Sequence, residues 1–373
     1  MIGPVHPFRG GIAHYTSMLA KALEEEQTVR VVSFRRMYPE WLYPGVSSLD
    51  PSEAPVRTDS EYLLDPLNSL RWWQTARWIR SWNPDLVVFQ WWVTFWAPAF
   101  MVVAWLLRRA GFRILFLIHN VLPHEERPWD RLLARLTMRM GDRFIVHTPR
   151  ERERLLSLVP DAEISVHPHP RYDMFLNDRL SPTAARQKLG LPLERKILLF
   201  FGFVRPYKGL DIALEGLAIL RDRGQSIHLL VAGEFWADKA IYTRLIEKLQ
   251  LSTLVWIEDR YIPNEEVGRY FSAADIAIAP FTGGTQSGSA TIALSFGLPL
   301  IVTEHIAEGM SASGANVIAI PAGDPASLAD AVETLFKQPT PRSAALESAH
   351  EDWRQMAKLV SAVGEVDSTK ALT

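Results

Sequence analysis

The stretch ILLFFGFVRPYKG, residues 197–209, indicates the fold class. Its first five residues are apolar and Gly202 follows them, which is the pattern of a strand buried on both faces. Strands of this kind belong to parallel sheets covered by helices. A helical apolar pattern comes next, at Leu210, Leu214, Leu217 and Leu220. The stretch therefore predicts an α/β protein.

The turn between this strand and this helix carries two cations, Arg205 and Lys208. Ligands of open α/β sheets bind beyond the carboxyl ends of the strands, where this turn is expected to lie. A guanidinium and an ammonium three residues apart suit the oxygens of a diphosphate. Two solvated surface cations are the alternative, and the spacing alone leaves both interpretations open.

Strand and helix patterns alternate along most of the 373 residues. We predict two Rossmann-like, doubly wound parallel-sheet domains that face an interdomain cleft. The expected bounds are 1–172 for an acceptor-side domain and 173–345 for a donor domain, with a helix in 346–373 that packs back across the domain boundary. Residues 39–66 are rich in Pro, Ser and acidic residues and are predicted to form a loop, with a mobile lid as one use.

Composition excludes several classes of function. The 40 Lys and Arg nearly balance the 42 Asp and Glu, so nucleic acid is not an expected partner. The absence of Cys excludes disulfides, thiolate metal sites and a Cys nucleophile. The first residues lack the charged start and long apolar run of a signal peptide, which makes a cytoplasmic location the default expectation.

Two features raise the question of a membrane. Residues 86–107 are uncharged for long enough to span a bilayer, but Gln90 and Pro98 favour a strand followed by a separate helix. Ten of the thirteen Trp precede residue 150, several of them close to Arg71, Arg77 and Arg80. Core packing is the favoured explanation of these Trp, and peripheral contact with the inner membrane face is the alternative.

A glycine pair, Gly10 and Gly11, directly precedes a helical pattern that runs to Leu23. Such a pair lets backbone N–H groups approach an anion at the positive end of a helix dipole. Taken alone it is weak evidence, because most glycine pairs only form turns.

Five segments in order resemble the retaining glycosyltransferases of family 4, which have the two-domain GT-B architecture. They are PFRGGIAHYTSMLAKAL, HN at His119, GFVRPYKGLDIAL, FGLPLIVT and PAGDPASLADAV, and they extend over nearly the whole chain. The resemblance implies transfer of a sugar, with retention, from a nucleotide-diphosphate sugar to an acceptor hydroxyl on a glycan or lipid-linked molecule. It implies neither a metal nor a cofactor.

The resemblance assigns Gly10 and Gly11 to the loop whose amides approach the donor phosphate, with Gly202 also on the donor side. Arg205 and Lys208 would hold the diphosphate and stabilise the charge that grows on the leaving group.

His119 directly follows the apolar stretch ILFLI, residues 114–118. By resemblance it would orient and polarise the transferred sugar, and a purely structural hydrogen-bonding role is the alternative. His124 and Glu125, in the loop that follows, would line the acceptor side.

The sequence departs from the family pattern at one place. Family members usually carry two Glu separated by seven residues, but here Gly284 and Ile292 stand at those positions and residues 281–299 contain no carboxylate. Neutral groups are the expected donor-binding replacements, in the run Thr285, Gln286, Ser287 and Gly288; a helix N-cap without ligand is the alternative. The departure keeps two rivals open: a nucleotide-sugar epimerase or hydrolase, and a non-catalytic binding protein.

Overall fold

The computed structural model describes residues 1–43, 45–123, 125–310, 317–338 and 346–365. The chain forms two compact units. Unit 1 contains the described residues of Met1–Asp50, Pro55–Pro168 and Glu351–Thr373, and unit 2 contains those of Pro51–Ala54 and His169–His350.

Unit 1 is built on parallel strands. They are β1 (Val31–Phe34), β2 (Ser60–Leu64), β3 (Leu86–Trp91), β4 (Arg113–Ile118), β5 (Arg143–Val146) and β6 (Ile164–Val166). Strands β3, β4, β5 and β6 pair in that order, and β1 pairs with β2. Ile2 forms parallel bridges to both Val32 and Phe89, so residues near the start of the chain join the two sets.

Five helices connect these strands: α1 (Gly11–Glu24), α2 (Ser69–Trp82), α3 (Ala97–Arg109), α4 (Asp130–Met138) and α5 (Pro149–Leu158). Short 3-10 helices lie at Glu40–Leu42 and Thr94–Trp96. The core is strongly aromatic: Phe89 stacks on Phe116, with ring centroids 5.1 Å apart, and Trp96 stacks on Phe100. The apolar residues of β4 are fully buried, which explains its uninterrupted apolar run.

The uncharged segment 86–107 divides into strand β3 and helix α3, as Gln90 and Pro98 indicated. None of the helices in the described residues is long and apolar enough to cross a membrane.

The loop predicted for residues 39–66 is wrong at residues 60–64, which form β2. This strand lies at the edge of the β1–β2 pair and leaves Glu61 and Tyr62 exposed. An edge strand exposed in this way lacks the continuous apolar run by which buried parallel strands are found in a sequence.

Unit 2 contains one sheet of six parallel strands: β7 (Lys196–Phe201), β8 (Ile227–Ala232), β9 (Val255–Glu258), β10 (Ile276–Ala279), β11 (Leu300–Thr303) and β12 (Val317–Ile320). Their order is β12-β11-β10-β7-β8-β9. The strand order reverses between β7 and β10. Such a switch point leaves a crevice beyond the carboxyl ends of the two strands, where α/β proteins bind their ligands.

The helices of unit 2 lie on its sheet, with α7 against α12 and α9 against α6. They are α6 (Pro182–Lys188), α7 (Leu210–Asp222), α8 (Lys239–Lys248), α9 (Asn264–Ala273), α10 (Gly288–Ser295), α11 (Glu304–Ala307) and α12 (Pro325–Lys337). Two further 3-10 helices are Leu176–Asp178 and Pro206–Lys208. The predicted α/β class with two Rossmann-like parallel sheets is confirmed.

The last helix, α13 (Leu346–Glu365), groups with unit 1 from Glu351 onward. Its Trp353 is buried against Tyr15 of α1, with ring centroids 5.0 Å apart and the rings edge to face. Arg354 adds an ion pair with Glu25 at 3.1 Å. Helix α13 therefore covers part of α1.

Candidate functional site

The turn after β7 lies at the switch point of the unit 2 sheet. Arg205 is the N-cap of the 3-10 helix Pro206–Lys208, and Gly209 follows with a φ of 70°. A Cβ at Gly209 would lie 2.0 Å from the Pro280 carbonyl oxygen, so only glycine lets this turn approach the loop after β10. The same approach places Lys208 beside Phe281, with its Nζ 5.4 Å from the ring centroid.

Lys208 is half-buried, and no hydrogen bond or ion pair joins its ammonium to another described residue. Desolvation, aided by the positive charge of Arg205, lowers the pKa of Lys208 to about 8. Two like charges in one turn repel each other unless an anion lies between or beside them. The turn is therefore suited to bind an anion, as the sequence predicts for Arg205 and Lys208.

The loop after β10 carries the neutral run that replaces the family's Glu pair, and it contacts the cationic turn directly. Thr282 donates its backbone N–H to the Tyr207 carbonyl at 2.7 Å. Thr285 and Ser287 are buried, and the Ser287 hydroxyl caps α10 by accepting from Ala290 N at 3.2 Å. The structure thus brings the cationic turn into contact with residues 281–283, at the start of this loop. A role of this run in donor binding stays a prediction.

The positions of the missing carboxylates are occupied by groups that cannot replace them. Gly284 is a loop residue with a φ of 92°, and Ile292 is buried in α10. Thr291, the neighbour of Ile292, donates its hydroxyl to the Ser287 carbonyl within the helix. Hydroxyls and amides are consequently the polar groups that this segment offers.

Sequence reasoning missed an aromatic cluster beside Arg205. Phe203 stacks on Trp236 with centroids 4.2 Å apart, and Tyr261 lies 6.1 Å from Phe203. The Arg205 guanidinium lies over Trp236 at 5.7 Å and over Tyr207 at 5.5 Å. Aromatic residues that directly follow β8 and β9 were the available signal. Their rings form an aromatic cluster next to the cationic turn.

The predicted site residue of unit 1, His119, follows β4 and is buried. Its Nε2 lies 2.7 Å from Oε1 of Gln90, the penultimate residue of β3. Because an amide oxygen only accepts hydrogen bonds, Nε2 carries a proton in this contact. The ring of Tyr15 meets the imidazole edge to face, with centroids 4.6 Å apart. His119 is therefore held in one orientation, and its predicted role toward a sugar stays a prediction.

A second group missed by sequence reasoning, Glu151, fixes the loop after His119. Its buried carboxylate accepts the backbone N–H of Val121 and pairs with Arg154 at 3.0 Å. Burial raises the pKa of Glu151, against the opposing effects of Val121 and Arg154. Thr148 caps α5 by accepting from Glu151 N. The pattern T-x-x-E of a capping box was the available signal, although the carboxylate reaches another loop.

Gly10 is the N-cap of α1, with φ 110° and ψ 168°, a backbone region essentially restricted to glycine. A Cβ there would meet no protein atom within 4 Å, so the backbone angle rather than crowding requires glycine. Gly11 begins the helix, whose first turn contains no acidic residue. This end of α1 is therefore electrostatically favourable for an anion.

The remaining predicted residues are less informative. His124 lies outside the described residues, and Glu125 is exposed in the loop after β4. No group of three or more His, Asp or Glu that could hold a metal ion occurs in the described part of the chain.

The fold defines an α/β protein with two Rossmann-like parallel-sheet units. Sequence models of two glycosyltransferase domains match it: "Glycosyl transferase 4-like domain" over residues 10–170 and "Glycosyl transferases group 1" over residues 195–338. The chain belongs to this glycosyltransferase family, as the five segments predicted.

Relatives and solved structures agree with this assignment. A D-inositol 3-phosphate glycosyltransferase of Catenulispora acidiphila is 29% identical over 211 residues, 53% of this chain and 50% of the relative. A GDP-mannose:glycolipid 4-beta-D-mannosyltransferase of Xanthomonas campestris is 26% identical over 197 residues, 52% of this chain and 51% of the relative. The chain spans about half the length of these curated relatives.

The Anabaena protein HepE, solved with UDP and glucose, superposes with a TM-score of 0.68 at 15% identity, over 100% of this chain and 99% of HepE. At this identity the similarity establishes the shared GT-B fold.

Proposed function

We propose that the protein transfers a sugar from a nucleotide-diphosphate sugar to an acceptor hydroxyl, with retention of configuration and without a metal. The observation that carries the proposal is the Lys208 ammonium. It is desolvated next to Arg205 at a switch point, and no carboxylate of the described residues neutralises it. A diphosphate would supply the missing negative charge and would leave as an anion stabilised by both cations.

The two units divide the work in this proposal. Unit 2 binds the donor through Arg205, Lys208, Gly202 and the residues Thr285, Gln286, Ser287 and Gly288. Unit 1 binds the acceptor, with Glu125 on the acceptor side, and His119 orients the transferred sugar. The amides of Gly10 and Gly11 approach the donor phosphate. Support comes from the relatives, whose names specify a nucleotide-sugar donor, an inositol phosphate or a glycolipid.

The proposed acceptor is a glycan or a lipid-linked precursor. The proposed location is the cytoplasm, because a chain without cysteine has no disulfides that a reducing compartment would break. The glycolipid named for the Xanthomonas relative supports the acceptor class.

A non-catalytic nucleotide- or glycan-binding protein is the second candidate, and one observation favours it. Gly284 and Ile292 replace both Glu of the family pattern. An epimerase or hydrolase on the same fold would bind the same donor but would release an epimer or a free sugar without acceptor.

Thermal unfolding with UDP, GDP, ADP or TDP, in the presence of a chelator, tests the donor site. One nucleotide at about 100 times its Kd should stabilise the protein by about 2.7 kcal/mol, a shift of roughly 5 to 10 °C. The double variant Arg205→Ala/Lys208→Ala should lose the shift, whereas Lys248→Ala, on the exposed face of α8, should retain it. A shift that survives in the double variant contradicts the assignment.

Product analysis with the matching nucleotide sugar then separates the candidates. Transfer to an acceptor supports the proposal. Free sugar or an epimer without acceptor supports the second enzyme, and binding without any turnover supports the non-catalytic protein.

A further inference from the structure

Three neighbouring helices of unit 1 present a shared solvent side that the proposed sugar transfer does not use. Helix α2 packs on α3, and α3 packs on α4. Their inner sides enter the core of unit 1 through residues such as Ile79, Phe100 and Met138. Because α3 packs against both other helices, the solvent sides of the three helices adjoin one another.

The same pair of residue types recurs on each helix of this surface. Arg77 lies over the Trp73 ring at 5.6 Å on α2, and Arg109 lies over Trp105 at 5.2 Å on α3. Just before α4, Arg127 lies over the Trp129 ring at 5.8 Å. We call these six residues, together with Leu70, Leu132 and Arg135, the Trp–Arg face.

The Trp of this face are exposed although Trp is usually buried. Trp73, Trp105 and Trp129 expose 53%, 46% and 54% of their surface. Leu70 and Leu132, which are also exposed, add aliphatic surface. Core packing therefore accounts for Trp91 and Trp96, which are fully buried, but not for these three. Exposed apolar groups that recur on adjacent helices mark an interaction surface.

On the three helices themselves the charged residues that face solvent are all basic, although Glu125 and Glu126 are exposed in the loop just before Arg127. Helices α2, α3 and α4 contain a single acidic residue, Asp130, which is buried and accepts hydrogen bonds from Thr94 and from the backbone of Arg127. Within the described parts of the chain, none of Arg77, Arg109, Arg127 and Arg135 forms an ion pair. The protein as a whole has a formal charge of −2, so this positive surface is a local feature.

We propose that the Trp–Arg face docks the protein on an anionic lipid bilayer. Arginine guanidiniums interact with anionic headgroups, and Trp rings favour the boundary between headgroups and acyl chains. The exposed leucines favour a bilayer over nucleic acid, because a bilayer offers an apolar phase in which Leu70 and Leu132 are buried. This inference goes beyond the proposed function, since docking requires neither a nucleotide nor sugar transfer.

Co-sedimentation of the full chain with vesicles tests the proposal. The probes are vesicles of phosphatidylcholine alone and of phosphatidylcholine with about one third phosphatidylglycerol, without nucleotide. We expect binding to the anionic vesicles that weakens at high salt and little binding to the neutral ones. Equal binding to both, or binding to neither, overturns the proposal.

Two triple variants identify the face. Arg77→Gln/Arg109→Gln/Arg135→Gln should weaken binding about fivefold per arginine, or about a hundredfold in all. Trp73→Ala/Trp105→Ala/Trp129→Ala should weaken it roughly tenfold through the loss of apolar contact. The matched control Lys188→Gln/Arg244→Gln/Lys248→Gln removes three exposed cations from unit 2 and should bind like the parent.

The replaced arginine and lysine side chains are exposed, so thermal unfolding of those two variants should match that of the parent. The Trp variant should unfold at a somewhat lower temperature, because its three rings are half-buried in the parent. Parent-like vesicle binding by the arginine variant overturns the proposal. Displacement of the vesicles by duplex DNA at equal phosphate concentration would assign the face to nucleic acid instead. A failure of nucleotide binding leaves the vesicle results unaffected, so the two proposals fail independently.

Discussion

In unit 1, His119 and the loop after it are held by hydrogen bonds within the protein, whereas the Lys208 ammonium of unit 2 has no hydrogen bond or ion pair among the described residues. His119 makes a hydrogen bond to Gln90 at 2.7 Å, and Val121 donates to the buried Glu151. Lys208 has a pKa lowered to about 8 and no carboxylate partner among the described residues. The difference indicates that unit 1 fixes the orientation of His119 before any ligand binds, while Lys208 of unit 2 carries a charge that a ligand can neutralise.

Replacement of Lys208 should have the largest effect, on the rate of sugar transfer. Lys208→Met removes one of the two cations proposed to stabilise the leaving diphosphate, and kcat for sugar transfer should fall about 10²- to 10³-fold. The free energy of unfolding should stay equal or rise, because a desolvated charge is lost. Initial rates and denaturant unfolding measure both quantities.

Lys248→Met is the matched control, since Lys248 is exposed on α8. Loss of activity together with a large loss of stability in Lys208→Met would show that Lys208 is a structural residue, as the groups of unit 1 are.

Gly209 tests whether the cationic turn depends on its close approach to β10. Gly209→Ala should lower the free energy of unfolding by roughly 3 kcal/mol, because a Cβ there would lie 2.0 Å from the Pro280 oxygen. Gly224→Ala is the control: its φ is 74° against 70° at Gly209, but a Cβ at Gly224 meets no atom within 4 Å. It should cost about 1 kcal/mol.

Equal losses in the two glycine variants would mean that the contact with Pro280 does not constrain the turn. Unit 1 has no counterpart to this contact at Gly10, where a Cβ would have open space.

Gln90 tests the opposite property, a hydrogen bond that the protein itself supplies to His119. Gln90→Leu leaves the His119 Nε2 proton without its acceptor in a buried position, which should cost about 1–2 kcal/mol of stability. Gln90→Glu retains an acceptor oxygen and should keep this hydrogen bond. Denaturant unfolding of both variants measures the difference. A Gln90→Leu protein as stable as the parent would show that His119 does not depend on this hydrogen bond.

The sequence predicts best what depends on neighbouring residues. The strand predicted at residues 197–201 and the helix predicted from Leu210 to Leu220 agree with β7 and α7, because burial imposes a regular apolar pattern there. Strand β2 was missed because its exposed face gives no such pattern. The proximity of Arg205 to Lys208 was predictable because both residues lie in one turn.

The remaining site residues could not be predicted because the sheet, not the chain, brings them together. Trp236 and Tyr261 follow β8 and β9 and reach Phe203 only through the order β7-β8-β9. Gln90 meets His119 because β3 and β4 pair in register. A polar residue inside the apolar run LVVFQWW was the signal for Gln90, but it does not identify the partner.

The smallest expected effect is the pH dependence of nucleotide binding, which tests whether Lys208 is desolvated in the free protein. In the free protein the pKa of Lys208 lies near 8, below its usual 10.5. The unfolded chain therefore binds more protons between these values, and the free protein gains stability as pH rises through that window. A diphosphate favours the protonated ammonium, so binding above pH 8 must take up a proton. Affinity at about pH 9 should be about tenfold weaker than at about pH 7.

Isothermal titration calorimetry in two buffers of different ionisation enthalpy measures both the affinity and the proton uptake. Lys208→Met should bind more weakly but with a flat profile between these pH values, which separates Lys208 from the titration of the nucleotide itself. A flat profile in the parent would show that Lys208 stays charged throughout this range and that its desolvation does not control nucleotide binding.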